Sequence, residues 1–242
     1  MTELYLPNSN IPLGKRKLHI PPPPAGSVLY CPGYPPMGSV LYDRSGNNNH
    51  GTITGATWER SPGGLWGLKL DGSDDYVQLA SNITLNVNSV IMFWAKFSPN
   101  LTGANFPKLI GRNTQSGYDY LQFGLNDTDD NRWFNKLRGE TSTNGDYIDV
   151  SFSSPLSADV WYHIGITQTA EQKWQLYRNA VYQGISSARA NPALNFNRIG
   201  ATQTTSGSFY GDIHHFTTIQ TSANPAGDIT NQYQNTRKFF GV

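Results

Sequence analysis

The sequence VIMFWAKF at Val90–Phe97 is a run of eight almost entirely apolar residues. This segment is too short for a well-buried helix, and it is rich in β-branched and aromatic residues, which favour strands. Apolar side chains occupy nearly every position, so both faces of the strand are expected to be buried. We therefore interpret Val90–Phe97 as a central strand.

Three further runs predict a meander. Residues 161–167 (WYHIGIT) and Trp174–Arg178 (WQLYR) are strand-like, and the polar stretch between them suits a loop. Residues 181–184 are expected to pair back on Trp174–Arg178 across Asn179 and Ala180.

Alternation marks two more strands, each with one buried face. Residues 118–125 alternate Tyr, Tyr, Gln, Gly with Asp, Leu, Phe, Leu, and residues 147–152 alternate Tyr, Asp, Ser with Ile, Val, Phe. A helical spacing occurs in residues 224–234 (NPAGDITNQYQ), where Ile229 and Tyr233 lie four apart. The sequence thus predicts an all-β fold, a two-sheet antiparallel β-sandwich spanning residues 27–242 with a short C-terminal helix.

Composition excludes several classes of protein. The chain has 18 Lys and Arg against 17 Asp and Glu, a formal net charge of +1. This balance excludes nucleic-acid binding through bulk charge, which needs a basic surplus. The single Cys31 excludes an intramolecular disulfide, and no window approaches the roughly 20 apolar residues of a membrane span.

Residues 1–26 are interpreted as an extended, Pro-rich N-terminal arm. The first residues, MTELYLPNSN, lack the basic start and apolar run of a classical signal peptide. Consecutive prolines at 21–24 favour a polyproline II spacer. Two alternatives are open: the arm is a free tail or lies on its own domain, or it docks onto a neighbouring subunit or a larger assembly.

Several segments in order carry a family resemblance. They are residues 43–51 (DRSGNNNHG), 68–77 (LKLDGSDDYV), Val90–Phe97, 161–184 and 209–216 (FYGDIHHF). In this order they resemble the concanavalin A-like jelly roll of the laminin-G type. The first two are also turns on physical grounds, because Asp and Asn hydrogen-bond their own backbone and the glycines supply positive φ.

Two positions depart from the family pattern. Asn179-Ala180 stands where an Asp-Gly or Asn-Gly hairpin turn is usual, which predicts a wider hairpin. His214-His215 stands where two acidic residues are frequent, so a role of those carboxylates is absent. Adjacent residues of a strand point to opposite faces, so these two histidines are not expected to bind one metal.

The sequence contains no recognised catalytic pattern. Glycoside hydrolases with a similar jelly roll use two carboxylates in an E-x-D-x-x-E or E-x-D-x-E pattern, which does not occur. No G-x-S-x-G elbow, H-E-x-x-H or phosphate-binding loop is present, and Cys31 is expected to be an inert, half-buried thiol. We therefore predict that the protein is not an enzyme.

No cofactor is required, but calcium is a candidate ligand. The resemblance implies it, because laminin-G-like jelly rolls often carry one calcium ion, a hard cation that prefers oxygen. The candidate ligands are four side chains within residues 126–131: Asp127, Asp129, Asp130 and Asn131. The alternative is a solvated hairpin tip, since the spacing is not that of an EF-hand. A second candidate cluster is Asp43 with Asp74 and Asp75, if the turns at residues 43–51 and 68–77 meet in space.

A candidate glycan site lies in a polar, Gly-containing region. Saccharide recognition uses flat aromatic faces beside amide and carboxylate groups. The candidate residues are Trp133, Phe134, Tyr147, Asn131 and Asp146. By contrast, Trp94, Trp161 and Trp174 lie on predicted strands and are expected to pack in the core.

Two functions fit these features. The first, implied by resemblance to phage-encoded jelly rolls, is a non-enzymatic structural or adhesion protein on the outer surface of a virion, as a capsid decoration or tail-associated protein. It would bind capsid or tail proteins through residues 1–26 and form a homo-oligomer, with a trimer favoured. The alternative is a free, lectin-like carbohydrate-binding module. Neither implies a nucleic-acid or membrane partner.

Overall fold

Two antiparallel sheets form a β-sandwich, as the sequence predicts. The computed structural model describes residues 20–99, 107–113, 119–125, 134–140, 147–187, 193–202 and 208–242. The strands are β1 Ser27–Cys31, β2 Val40–Leu41, β3 Gly51–Thr54, β4 Thr57–Arg60, β5 Trp66–Asp71, β6 Tyr76–Leu85, β7 Val90–Phe97, β8 Lys108–Gly111, β9 Tyr120–Leu125, β10 Phe134–Glu140, β11 Tyr147–Leu156, β12 Trp161–Gln168, β13 Trp174–Arg178, β14 Val181–Ile185, β15 Leu194–Ile199 and β16 Tyr210–Ile219. One helix, α1, spans Pro225–Thr236, and a 3-10 turn follows at Arg237–Phe239.

The strands divide between two sheets. Sheet A has the order β14-β13-β12-β7-β16-β5-β4, with β1 paired to β16, and sheet B has the order β11-β10-β9-β8-β15-β6-β3-β2. The predicted meander β12-β13-β14 forms one end of sheet A. No helix of the described residues is long and apolar enough to cross a membrane.

Strand β7 is buried on both faces because two separate clusters pack against it. Ile91, Phe93, Ala95 and Phe97 enter the core between the sheets. On the outer face, Trp94 stacks on Phe240 at 4.1 Å between ring centroids. The near-continuous apolar sequence of β7 therefore reflects a strand covered by the second sheet on one side and the chain's C-terminal segment on the other.

Helix α1 covers the outer face of sheet A. Asn224 caps its N-terminus, with the side chain accepting from the Gly227 backbone N–H at 3.2 Å. Ile229 is fully buried and packs with Val90 and Met92, the outward residues of β7. The i, i+4 spacing of Ile229 and Tyr233 predicted this helix correctly.

The β13–β14 hairpin corrects one prediction. Arg178 pairs directly with Val181, so the turn has only two residues and is not wider than usual. Asn179 and Ala180 both adopt positive φ, at 51° and 63°. These values belong to a type I′ turn, whose twist matches the flanking strands, and alanine adopts it at a steric cost.

Strand β16 corrects a second prediction. His215 has a φ of 50°, and the register with β7 shifts between His214 and Thr217. This bulge breaks the simple alternation that would place the two histidines on opposite faces. His214 lies against Trp161, and His215 lies edge-on to Tyr30.

The last residues of the arm contact their own domain. Ile20 packs against the outer aromatic cluster that contains Trp94 and Phe240. The Tyr30 hydroxyl donates to the Pro21 carbonyl at 2.6 Å, and the Ser27 hydroxyl donates to the Pro24 carbonyl at 2.7 Å. Residues 1–19 lie outside the described residues.

Candidate functional site

Most of the predicted site residues lie outside the described residues. These are Asp127, Asp129, Asp130, Asn131, Trp133 and Asp146. Phe134 begins β10 and Tyr147 begins β11, and only their backbones are described. Tyr147 pairs with Glu140, which pairs in turn with Tyr120 of β9. Of the predicted glycan-site residues, Phe134 and Tyr147 therefore lie on neighbouring strands of sheet B.

The outer face of sheet B carries a network of amide side chains. Gln78 lies between the buried Val77 and Leu79, so the pleat places it on the outer face. Asn113 Nδ2 donates to Gln78 Oε1 at 3.1 Å, and Asn197 Nδ2 donates to Asn113 Oδ1 at 2.8 Å. The Asn113 backbone N–H donates back to Asn197 Oδ1 at 3.0 Å. The three amides thus hold one another in fixed orientations on a partly exposed surface.

Arg198 joins this network next to a tyrosine ring. Its Nε donates to Gln78 Oε1 at 3.0 Å and its Nη1 to the Thr202 carbonyl at 2.6 Å. The guanidinium carbon lies 4.1 Å from the centroid of the Tyr76 ring. Within the described part of the chain, Arg198 forms no salt bridge with a carboxylate. The positive charge of Arg198 is therefore held in place by two uncharged hydrogen-bond acceptors and by the Tyr76 ring.

A second row of polar side chains crosses the same sheet. Lys108 pairs with Gln122, Gln122 with Arg138, and Arg138 with Asp149. The Lys108 ammonium donates to Gln122 Oε1 and lies 4.3 Å from the centroid of the Tyr120 ring. Arg138 Nε lies 3.7 Å from Asp149 Oδ2, with both side chains more than a third exposed. Such an exposed ion pair contributes little stability.

The carboxylates near this face are engaged by arginines. Asp119 is almost fully buried, with Oδ2 3.2 Å from Arg112 Nη1 and Oδ1 accepting from the Asn195 backbone N–H. Asp149 pairs with Arg138 as described. Glycosidase chemistry needs two carboxyl groups about 5–10 Å apart, one of them able to donate a proton. On the described part of this face Asp149 is paired with an arginine, and the other polar side chains named above are amides, cations and tyrosines, which hydrogen-bond and stack.

The first of the two turns that carry the family resemblance, residues 43–51, is a structural clamp built around Asp43. Asp43 is buried, and its two oxygens accept four hydrogen bonds. The donors are the backbone N–H groups of Tyr30, Ser45 and Asn49 and the Ser45 hydroxyl, at 2.8–2.9 Å. The loop thereby fixes β1 against the turn that precedes β3.

The second of these turns, within residues 68–77, brings three carboxylates together. Asp43 of the first turn is not among them. Oxygens of Asp71, Asp74 and Asp75 lie within 4.8 Å of one another. Asp75 Oδ2 accepts from the Asp71 backbone N–H at 2.8 Å, and burial raises the pKa of the Asp75 carboxyl. The predicted cluster of Asp43 with Asp74 and Asp75 is therefore wrong, because the carboxylate that meets Asp74 and Asp75 is that of Asp71.

The sequence and the fold together place the chain in a known family. A sequence model described as the concanavalin A-like lectin/glucanases superfamily matches residues 71–226. The chain belongs to this superfamily. A search of curated proteins found no match.

Several solved structures share the jelly-roll fold of this superfamily member. The binding domain of botulinum neurotoxin serotype D is 19 % identical, with a TM-score of 0.58 over 86 % of this chain and 51 % of that one. The binding domain of Paraclostridial Mosquitocidal Protein 1 is 18 % identical, with a TM-score of 0.58 over 86 % of this chain and 52 % of that one. The chain thus spans about half the length of these two toxin domains.

A third similar structure contains a bound saccharide. It is domain 4 of AbnA, an extracellular arabinanase from Geobacillus stearothermophilus, in complex with arabinotriose. Identity is 16 %, the TM-score is 0.57, and the alignment covers 79 % of this chain and 92 % of that one. At these identities the likeness shows a shared fold.

The sequence interpretation missed the network around Gln78 and Arg198. These polar residues occupy the outward positions of strands, where polar side chains are ordinary. The available signal was a strand that begins Tyr76, Val77, Gln78, Leu79, with an aromatic and an amide on one face. The partners Asn113, Asn197 and Arg198 are distant in sequence, so only the folded structure brings them together.

Proposed function

We propose that this protein is a non-enzymatic carbohydrate-binding module and that its saccharide site is the outer face of sheet B. The observation that carries the proposal is the amide network of Gln78, Asn113 and Asn197, joined to Arg198 beside Tyr76. Saccharide hydroxyls donate and accept hydrogen bonds, so they match amides and a guanidinium already held in place.

The position of this face supports the proposal. The outer face of sheet A is covered by α1, whereas Tyr76, Gln78 and Arg198 of sheet B are partly exposed. Membership of a lectin/glucanases superfamily and the arabinotriose complex of a similar fold support a saccharide as the ligand. The carboxylates of the described face are paired with arginines, which supports binding over hydrolysis.

The test compares two arginine variants by calorimetric titration with arabinotriose and by a glycan array. Arg198→Gln removes the charge at the proposed site, and loss of a charged hydrogen bond of about 1.5–3 kcal/mol weakens binding roughly ten- to a hundredfold. Arg178→Gln is the matched control, because Arg178 donates to Ser154 at the other end of the sandwich. Equal affinities of both variants, or an empty array, would contradict the proposal.

The virion role is the second, finer hypothesis. In it, residues 1–26 anchor the domain to capsid or tail proteins and favour a trimer. The similar structures named above are toxin and arabinanase domains, and residues 20–24 contact their own domain, so this role stays a prediction. Deleting residues 1–19 leaves the Pro21 contact intact. Light scattering should then show a trimer for the full chain and a monomer for the deletion, and equal masses would contradict the role.

A further inference from the structure

A second aromatic surface lies at the β4–β5 edge of the sandwich, away from the amide network. We call it the aromatic notch, and its rings are Tyr34, Tyr42, Trp58 and Trp66. Tyr34 is 47 % exposed and the neighbouring Met37 is 58 % exposed. The notch encloses about 20 Å³, enough to admit a group the size of one water molecule, and the other three rings around it are half-buried.

Two arginines lie against rings of the notch: Arg44 is part of its lining, and Arg60 contacts the Trp66 ring. The Arg44 guanidinium carbon lies 5.5 Å from the Tyr34 centroid and 5.3 Å from the Tyr42 centroid. The Arg60 guanidinium carbon lies 5.3 Å from the centroid of Trp66, its cross-strand partner. Cation–π contacts orient both guanidinium groups without neutralising them.

Neither arginine has a carboxylate partner within the described residues. Arg60 Nε is buried and makes no hydrogen bond there, and Arg44 is exposed at the rim. Asp43, which precedes Arg44, already accepts four hydrogen bonds within its turn. Glu59, which precedes Arg60 on β4, forms no ion pair with it in the part of the chain that the structure describes. The notch therefore combines two uncompensated cations with flat aromatic faces.

The backbone fixes this arrangement before any ligand arrives. The Arg44 N–H donates to the Tyr30 carbonyl at 2.7 Å, and the turn around Asp43 holds the residue that precedes it. Trp58 Nε1 donates to the Gly38 carbonyl at 2.9 Å, which fixes one ring. The Trp66 N–H donates to the Gly33 carbonyl at 3.0 Å. A preorganised site loses less entropy on binding.

We propose that the aromatic notch binds an anionic saccharide, a sugar that carries a carboxylate or sulfate group. The sugar ring packs on the exposed Tyr34 ring and the half-buried rings beside it, and its acidic group pairs with Arg44, with Arg60 adding positive charge beside Trp66. Guanidinium groups recognise carboxylate and sulfate through paired N–H donors. The choice of a saccharide rests on the proposed function, whereas the requirement for an anion follows from the two arginines alone.

The experiment measures affinity by calorimetry for trigalacturonate, a sulfated heparin tetrasaccharide, neutral arabinotriose and inorganic sulfate. The variants are Arg44→Gln, Tyr34→Ala at the exposed rim, and Arg198→Gln on sheet B as the matched control. Thermal unfolding of each variant checks that the fold is intact. Arg44→Gln is expected to weaken an acidic sugar at least tenfold and to leave arabinotriose unchanged, and Tyr34→Ala is expected to weaken it severalfold.

The controls separate this inference from the proposed function. If acidic sugars bind through Arg44 but arabinotriose does not bind, the inference about the notch is supported and the sheet B proposal is contradicted. If Arg198→Gln weakens the acidic sugars as much as Arg44→Gln does, the notch inference is overturned. It is also overturned if no acidic sugar binds, or if inorganic sulfate binds as tightly as the sulfated sugar.

Discussion

Acidification should destabilise the protein through three buried histidines on the outer side of sheet A. His163, His214 and His215 are each at most 3 % exposed. Burial is the largest cause that lowers their pKa values, to about 4 for His163, about 3 for His214 and about 4 for His215. In the unfolded chain the same groups titrate near pH 6.5.

The sign and size of the effect follow from these values. Because folding lowers each pKa, the unfolded chain binds more protons below about pH 6.5, so stability is complete above that pH and is lost as the pH falls toward 4. From pH 7.5 to 5.5 each histidine costs about 1.4 kcal/mol of unfolding free energy, or about 4 kcal/mol for three. That is a large share of the 5–15 kcal/mol typical of a folded domain.

The assay is urea unfolding at pH 7.5, 6.5 and 5.5, followed by tryptophan fluorescence. His214→Phe removes one titrating ring whose two nitrogens lack hydrogen-bond partners among the described residues. Between pH 7.5 and 5.5, the free energy of unfolding of the variant is expected to fall by about 1.4 kcal/mol less than that of the parent, whatever the absolute stability of the variant. His214→Asn is the second variant if the larger ring does not fit beside Gly67.

A matched control separates proton binding from packing. Phe240 contacts the His214 ring at 5.9 Å between centroids, so Phe240→Leu disturbs the same cluster without removing a titrating group. It should lower stability by a similar amount at every pH. Burial raises the pKa of the neighbouring Asp212 carboxyl, an opposite effect that is common to all the variants. A parent protein equally stable at pH 7.5 and 5.5 would refute the reasoning.

Three further predictions concern single sites. Ala180→Gly should raise the urea midpoint, with a gain of about 1 kcal/mol, because glycine adopts the positive φ of this turn without a Cβ clash; a loss would contradict the type I′ assignment. Asp43→Ala should lower the free energy of unfolding by roughly 1–3 kcal/mol, measured by thermal unfolding, since four donors lose their acceptor, and Asp43→Asn should cost less. Equal stability of the parent and the alanine variant would contradict the clamp. Calcium bound at the predicted ligands Asp127, Asp129, Asp130 and Asn131 should raise the thermal midpoint, and a chelator should reverse the rise. The double variant Asp129→Ala with Asp130→Ala should abolish the rise, and no calcium effect on the parent would argue for a solvated hairpin tip.

The strands could be predicted because burial leaves a periodic record in the sequence. Ile148, Val150 and Phe152 alternate with polar residues and are buried, as the pattern of β11 indicates. The continuous apolar run of Val90–Phe97 predicted a strand covered on both faces. The i, i+4 spacing of Ile229 and Tyr233 also predicted helix α1, which covers the outer face of this strand.

The irregular positions could not be predicted in the same way. The φ values of Ala180 and His215 depend on the strands that flank them, and neither residue type usually adopts positive φ. The pairing of Arg198 with Gln78 joins residues 120 apart in the chain, and neither strand alone shows that the other is adjacent. Arg44 and Trp66 meet at the notch for the same reason.

The shared position of Ile20 and Phe240 has a practical consequence. Both belong to the aromatic cluster on the helix-covered side of the sandwich. A fused partner or a solid support joined near either residue would hold the molecule by that side. The tyrosine and amide surface around Arg198 belongs to the opposite layer and would face outward. Immobilised protein should therefore present this surface to ligands in solution without any engineered spacer.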